Sequence, residues 1–214
     1  MEKSINTILY SALCSLCLFM SVSGYSQNSR TSRVGFKVGF NLANLYADNV
    51  KDQNMKVGAL AGFYAKLPIA DGIAFQPELL YSNKGAKLTY DDVIQGKGEY
   101  RFNLNYIETP FTFVFNVLPN FNVHAGGYAA YLASANVKKL KDGTTTSVPD
   151  LKADDFNRMD YGLVGGLGLD FKSLNIGMRY NYGLKQIGHS GSLSGDLTQN
   201  SKNSALSFYI GMAF

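Results

Sequence analysis

Over most of this chain, every second residue is bulky and apolar while its neighbours are small or polar. The final residues, ALSFYIGMAF, set Leu206, Phe208, Ile210, Met212 and Phe214 against Ser207, Tyr209, Gly211 and Ala213. Strict alternation is the period of a strand, because successive side chains leave the pleat on opposite sides. A helix would scatter the same residues around its circumference. The alternation therefore constrains the chain to β structure, and it leaves one question: whether the apolar face meets a core or a lipid.

The pattern recurs. RVGFKVGFNLANL puts Val34, Phe36, Val38, Phe40 and Leu42 on one face and Gly35, Lys37, Gly39 and Asn41 on the other. KVGALAGFYAKL sets Val57, Ala59, Ala61, Phe63 and Leu67 against Gly58, Gly62, Tyr64 and Lys66. IAFQPELLYSN sets Ile73, Phe75, Leu79 and Tyr81 against Gln76, Glu78 and Ser82. A fourth strand opens with Tyr100, Phe102, Leu104 and Tyr106 on the apolar side. From Ile107 the apolar face becomes Ile107, Thr109, Phe111, Phe113 and Phe115, with Glu108 opposite. One extra residue near Ile107 reads as a β-bulge. The fifth strand places Phe121, Val123 and Ala125 opposite Asn122, His124 and Gly126. The sixth places Met159, Tyr161, Leu163, Leu167, Leu169 and Phe171 opposite Asp160, Gly162, Gly166, Gly168, Asp170 and Lys172. The seventh places Leu174, Ile176, Met178, Tyr180, Tyr182 and Leu184 opposite Asn175, Gly177, Arg179, Asn181 and Lys185. The C-terminal stretch is the eighth.

Composition agrees with an all-β chain: 22 Gly, 14 Tyr and 14 Phe, with no Trp, among 214 residues. Connections alternate in length. PIADG, LPN and KS are short, whereas about 46–55, 84–99, 136–158 and 186–203 are long and polar. Short turns at one end and long loops at the other are the up-and-down pattern of outer-membrane barrels, whose periplasmic turns are short.

A soluble lipocalin-like barrel would turn the apolar face inward. Against that, the other face is crowded with glycine, a poor residue for a solvated strand, and it carries few charges. A membrane barrel turns the apolar face to lipid. It can have no open edge, since each unpaired N–H or C=O in hydrocarbon costs several kcal/mol. The last strand must then pair with the first, which gives the lipid-facing residues Phe208, Ile210, Met212 and Phe214 a closing role. The expected fold is an all-β, eight-stranded antiparallel up-and-down transmembrane barrel, with strands of about 9–11 residues. Tyr81, Tyr100, Phe121, Tyr131, Phe171 and Tyr182 are expected in its interfacial girdles.

Residues 1–26 read as a secretory signal peptide: Lys3, an apolar run from about Ile8 to Val22, then small residues up to Ser26. Residues 27–32 form a short N-terminal segment and 33–214 the barrel. Both cysteines, Cys14 and Cys17, fall in the leader, and Leu13 and Leu16 precede them in place of the small residues of a lipoprotein site. The mature chain is expected to lack disulfide and thiolate chemistry.

Charges inside a narrow barrel must be paired. Lys37, Glu78, Glu108 and Arg179 are expected at middle depth as one luminal ion-pair network. Lys66, Asp170 and Lys172 are placed below it, and Arg101 and Asp160 above. Such a network either fills the barrel structurally or forms a gated polar path; small barrels are packed rather than porous. Other chemistry finds little support. GLVGGLGLD lacks the spacing and following helix of a dinucleotide loop, and there is no phosphate loop. His124 and His189 lack ligand spacing, so no metal or other cofactor is expected. GHSGSLSGD gathers His189, Ser and Asp, and could serve a rim hydrolase only weakly. Asp91, Asp92, Asp150, Asp154 and Asp155 read as solvated loop charge. A net charge of +4 without a dense basic block argues against nucleic acid.

Several stretches together resemble the PorT family of outer-membrane β-barrel proteins of Bacteroidota. They are GFKVGFN, QPELLYSNKGAK, YIETP, GGY, DYGLVGGLG, RYNYGL and IGMAF. The likeness runs from Arg33 to Phe214. It implies an outer-membrane barrel, and for some members a link to protein secretion by the type IX system. The expected role is a non-enzymatic scaffold or binding barrel acting through extracellular loops. A narrow porin-like solute channel and a rim enzyme using His189 are the alternatives. Expected partners are outer-membrane lipid, the outer-membrane assembly machinery and secretion-system proteins.

Overall fold

The alternating stretches become ten strand segments in the computed structural model, which describes residues 31–46, 53–92, 96–141, 144–147, 156–188 and 201–214. They are β1 (Arg33–Tyr46), β2 (Gln53–Ala70), β3 (Ile73–Lys84), β4 (Ala86–Asp92) and β5 (Gly96–Leu118). Then come β6 (Phe121–Lys141), β7 (Thr144–Ser147), β8 (Met159–Phe171), β9 (Leu174–Gln186) and β10 (Lys202–Ala213). The expected leader lies outside the described residues.

Ten segments make eight staves. β3 and β4 are one stave bent at Gly85: the pairs Lys84↔Leu104 and Lys87↔Arg101 continue a single register against β5. Gly85 has φ +135, and a Cβ there would lie 2.0 Å from the Phe102 carbonyl oxygen, so the bend admits only glycine. Among the described residues, β7 pairs only with the tip of β6. The remaining neighbours are antiparallel throughout, and β1 pairs with β10 to close the ring: Phe36↔Met212, Val38↔Ile210, Phe40↔Phe208. Phe40 and Phe208 stack across that seam, with ring centroids 5.3 Å apart.

Two-residue turns at Asp71–Gly72, Pro119–Asn120 and Lys172–Ser173 close one end. Both ends of the barrel chain lie there too: Phe214 N–H donates to Val34 O (2.9 Å) and Ala213 N–H to Ser173 O (2.7 Å). The staves run from 12 to 23 residues, longer than a membrane crossing requires. The excess lies at the long-loop end, where β4, β7 and the outer ends of β5 and β6 occupy stretches expected to be loop.

Burial is inverted relative to a soluble protein. Val38 (49%), Phe63 (64%), Leu163 (57%) and Ile210 (52%) are exposed, while Lys37 (0%), Glu78 (4%) and Arg179 (1%) are not. So large an apolar surface is stable only against lipid.

The expected slip at Ile107 does not occur in β5. Phe102, Leu104 and Tyr106 point inward on the same face as Glu108 and Thr112, and all five are buried. The bulge lies at that level but on β6. Asn105 pairs with Ser134 and Tyr106 with Leu132, leaving Ala133 as the extra residue. The physical reason is that the long-loop end of the lumen is apolar. Phe156 and Ile187, beyond the strand ends, fold into the mouth over Phe102, Leu104, Tyr106, Tyr128, Ala130, Leu132 and Val164. Bulky residues therefore face inward here, where they face outward lower down.

Candidate functional site in the barrel lumen

The polar parity of each stave converges on the axis. At middle depth stands Glu78, opposite Tyr64 in register. Lys37 stands between Gly211 and Gly62 in register. Arg179 stands between Ser207 and Gly166. Lys37 Nζ, Arg179 Nη2 and Gln76 Nε2 each donate to Glu78 Oε1, at 2.7 Å in all three cases. The Tyr209 ring lies under both cations, 4.1 Å from Lys37 Nζ and 4.9 Å from the Arg179 guanidinium carbon. Gly177 makes space for that ring, since a Cβ there would sit 2.4 Å from it. Desolvated charges of this kind hold only as a set: pairing and ring contacts replace the lost water.

Towards the long loops a second cluster forms. Lys84 Nζ lies 2.5 Å from Glu108 Oε2, and Asn181 Nδ2 donates to Glu108 Oε1 at 2.6 Å. Asp160 accepts from Tyr128 Oη (3.2 Å) and Asn203 Nδ2 (2.8 Å). The apolar cork of Phe156 and Ile187 covers this cluster.

Towards the short turns, Lys66 Nζ donates to Asp170 Oδ2 (2.6 Å), which also accepts from Asn122 Nδ2 (2.8 Å). His124 links this tier to the middle one. Its Nδ1 meets Asn122 Oδ1 at 3.2 Å and its Nε2 meets the Tyr209 hydroxyl at 3.4 Å. An amide oxygen only accepts, so Nδ1 carries the proton and Nε2 accepts from Tyr209.

The expected network is thus divided. Lys37, Glu78 and Arg179 meet; Glu108 belongs to a separate cluster with Lys84, which lies at the start of the expected 84–99 loop. The inward parity Glu78, Leu80, Ser82, Lys84 carries the signal for Lys84. Arg101 falls on the outward parity, not in the lumen, because Phe102 takes the inward position. Phe208 is half-buried, while Ile210, Met212 and Phe214 are exposed on the outer face. Tyr81, Tyr131, Phe171 and Tyr182 are exposed and Phe121 half-buried; the side chain of Tyr100 lies outside the described residues. So do His189, Asp150, Asp154, Asp155 and the side chains of Asp91 and Asp92.

The chain matches the family described as outer membrane protein beta-barrel domain over residues 25–188. Among solved structures it is similar to Ail, the attachment invasion locus protein of Yersinia pestis. Identity is 11% and TM-score 0.46, covering 86% of this chain and 99% of that one. Neisserial surface protein A follows at 13% and 0.44, covering 86% and 97%. OprG of Pseudomonas aeruginosa gives 14% and 0.37, covering 86% and 94%. No curated protein matches.

Proposed function

The chain belongs to the outer membrane protein beta-barrel domain family, and from that premise we propose that it is a non-conducting, non-enzymatic scaffold of the outer membrane that binds partners with its long-loop end. The observation that carries the reading is the filled lumen. Lys37, Glu78 and Arg179 are buried, both cations are bonded to Glu78, and a separate apolar cork lies above them. A solute path would need hydrated charges, whereas these have given up water for one another. With the bore occupied, partners are left the extended strands at the long-loop end.

The charge cluster is on this reading a structural plug. Partners of the secretion machinery are the class implied by the resemblance to PorT proteins, and crosslinking in native membranes reads out whether they adjoin this chain. Purified protein in planar bilayers tests the plug: the expected record is flat, and reproducible single-channel steps from the wild-type protein overturn the scaffold reading in favour of a narrow channel.

A further inference from the structure

Beyond the apolar band, the outer face of β3, β5 and β6 carries a row of hydrogen bonds, and the row has a direction. It starts at Lys56, buried at the bend of the third stave. Lys56 Nζ donates to Asn83 Oδ1 (2.5 Å), Asn83 Nδ2 to Asn105 Oδ1 (2.5 Å), and Asn105 Nδ2 to Ser134 Oγ (2.8 Å). Tyr81 Oη is a second donor to Asn105 Oδ1 (2.9 Å). Every link runs the same way, from an ammonium on β2 to a hydroxyl on β6. Bonds in such a series polarise one another, and a charged donor at the head strengthens them. A hydroxyl oxygen that accepts from an amide turns its own proton elsewhere. Among the described residues nothing accepts from the Ser134 hydroxyl, which is exposed at the end of the row.

The bulge on β6 brings that hydroxyl outside. Leu132 is buried, and strict alternation would turn residue 134 into the lumen as well. With Ala133 as the extra residue, Ala133 and Ser134 are exposed in succession. Depth then identifies the acceptor. Ser134 is level with Asn105, two residues beyond the exposed Ile107, roughly 7 Å along the strand and less along the membrane normal. Phe111 and Phe113 lie deeper, both exposed, and the hydroxyl of Thr109 between them and Ile107 already donates to Ala129 O (3.1 Å). The row thus stands at the rim of the hydrocarbon. There a diacyl lipid presents ester carbonyls, which accept hydrogen bonds and cannot donate them. We infer that Ser134 anchors a lipid-binding site on the β5–β6 face, its hydroxyl donating to an ester carbonyl of one lipid in the leaflet at the long-loop end. Asn105 is the positioning residue, because its amide fixes which way the hydroxyl points.

The test offers the full mature barrel, in detergent, an equimolar mixture of a diacyl phosphatidylethanolamine and its dialkyl ether analogue. The two share headgroup and chain length, and only the first has carbonyls, so a phosphate contact favours neither. Native mass spectrometry counts each lipid retained per barrel. Wild type should retain ester over ether lipid by on the order of threefold to tenfold, which corresponds to one hydrogen bond. S134A should retain the two equally, and S134T, which restores a hydroxyl, should recover the preference. N105L keeps Ser134 without its amide donor and should reduce the preference. T109V removes a hydroxyl of the same face that is already bonded within the sheet, and should keep the wild-type ratio. Ser134 is exposed, so S134A removes no packing, and heat-modifiable gel mobility verifies that each variant is folded. Equal retention of the two lipids by wild type, an unchanged ratio in S134A, or a ratio lost in T109V overturns the inference.

Discussion

Glu78 shows how one side chain governs the interior. A single oxygen accepts three donors, two of them cationic, in a site with no solvent access. Glu78→Gln keeps the shape and removes the charge, leaving Lys37 and Arg179 buried beside each other without an anion. Breaking a buried pair in this way costs about 3–5 kcal/mol. Urea unfolding in lipid vesicles should register that loss. Replacing all three charges together, Lys37→Met, Glu78→Leu and Arg179→Met, removes the uncompensated charge and should recover most of it. Failure of the triple variant to recover would mean the cluster does more than fill space. On the outer face it is an added charge that would lack a partner. Ile210 is flanked in register by Val38 and Ile176, all exposed, at the middle of the apolar band. Ile210→Arg should cost about 2–4 kcal/mol in the same assay, whereas Ser204→Arg, nearer the interface, should cost no more than about 1 kcal/mol. Equal costs at the two positions would contradict the assigned depth.

At the scale of elements, the bend at Gly85 determines how the third stave leaves the membrane. A side chain there meets the β5 backbone and must adopt a φ that L-residues avoid. Gly85→Ala should cost about 1–3 kcal/mol and free the β4 amides to exchange. Gly72 has φ +74 but only one atom near a built Cβ, at 3.6 Å, so Gly72→Ala should cost less. Hydrogen exchange over Ala86–Asp92 separates the two effects, and unchanged protection in Gly85→Ala would show that the bend is not held by this residue. These elements also show where sequence reading succeeds. Alternation located every membrane-crossing stave, because lipid on one side and a narrow lumen on the other give each parity a distinct composition. It misassigned Phe102, Leu104 and Tyr106, because parity records only how apolar a face is. Near the long-loop end the lumen is itself apolar, lined against Phe156 and Ile187, which are remote in sequence. The same ambiguity placed the bulge on β5 instead of at Ala133. Lys84 went unrecognised as the partner of Glu108 because a polar stretch after a strand looks the same whether it continues the sheet or leaves it. The two clusters are set by three-dimensional depth, which strand period alone does not encode.

For the whole molecule, closure is the property on which the rest depends. The lumen can be dry and its charges paired only if no gap opens between neighbouring staves, and the seam between β1 and β10 is the one contact that chain order does not supply. It is registered from Gly35↔Ala213 to Tyr46↔Lys202, and the backbone of Phe214 still bonds to Val34. Removing Ile210–Phe214 would strip the β10 backbone partners from Val34, Phe36 and Val38, the residues of this stretch whose N–H and C=O point across the seam. Their N–H and C=O groups would then face acyl chains, at several kcal/mol for each unsatisfied group. The Lys37–Glu78–Arg179 cluster would lose its cover on the side of Gly211. Both penalties fall on the same edge, and together they exceed the 5–15 kcal/mol that typically stabilises a folded protein. The truncated chain should therefore fail to acquire heat-modifiable mobility in vesicles and remain extractable by carbonate, while the full chain resists extraction. Folding of the truncated chain to a carbonate-resistant barrel would show that a seam shorter than the one observed is enough to seal it.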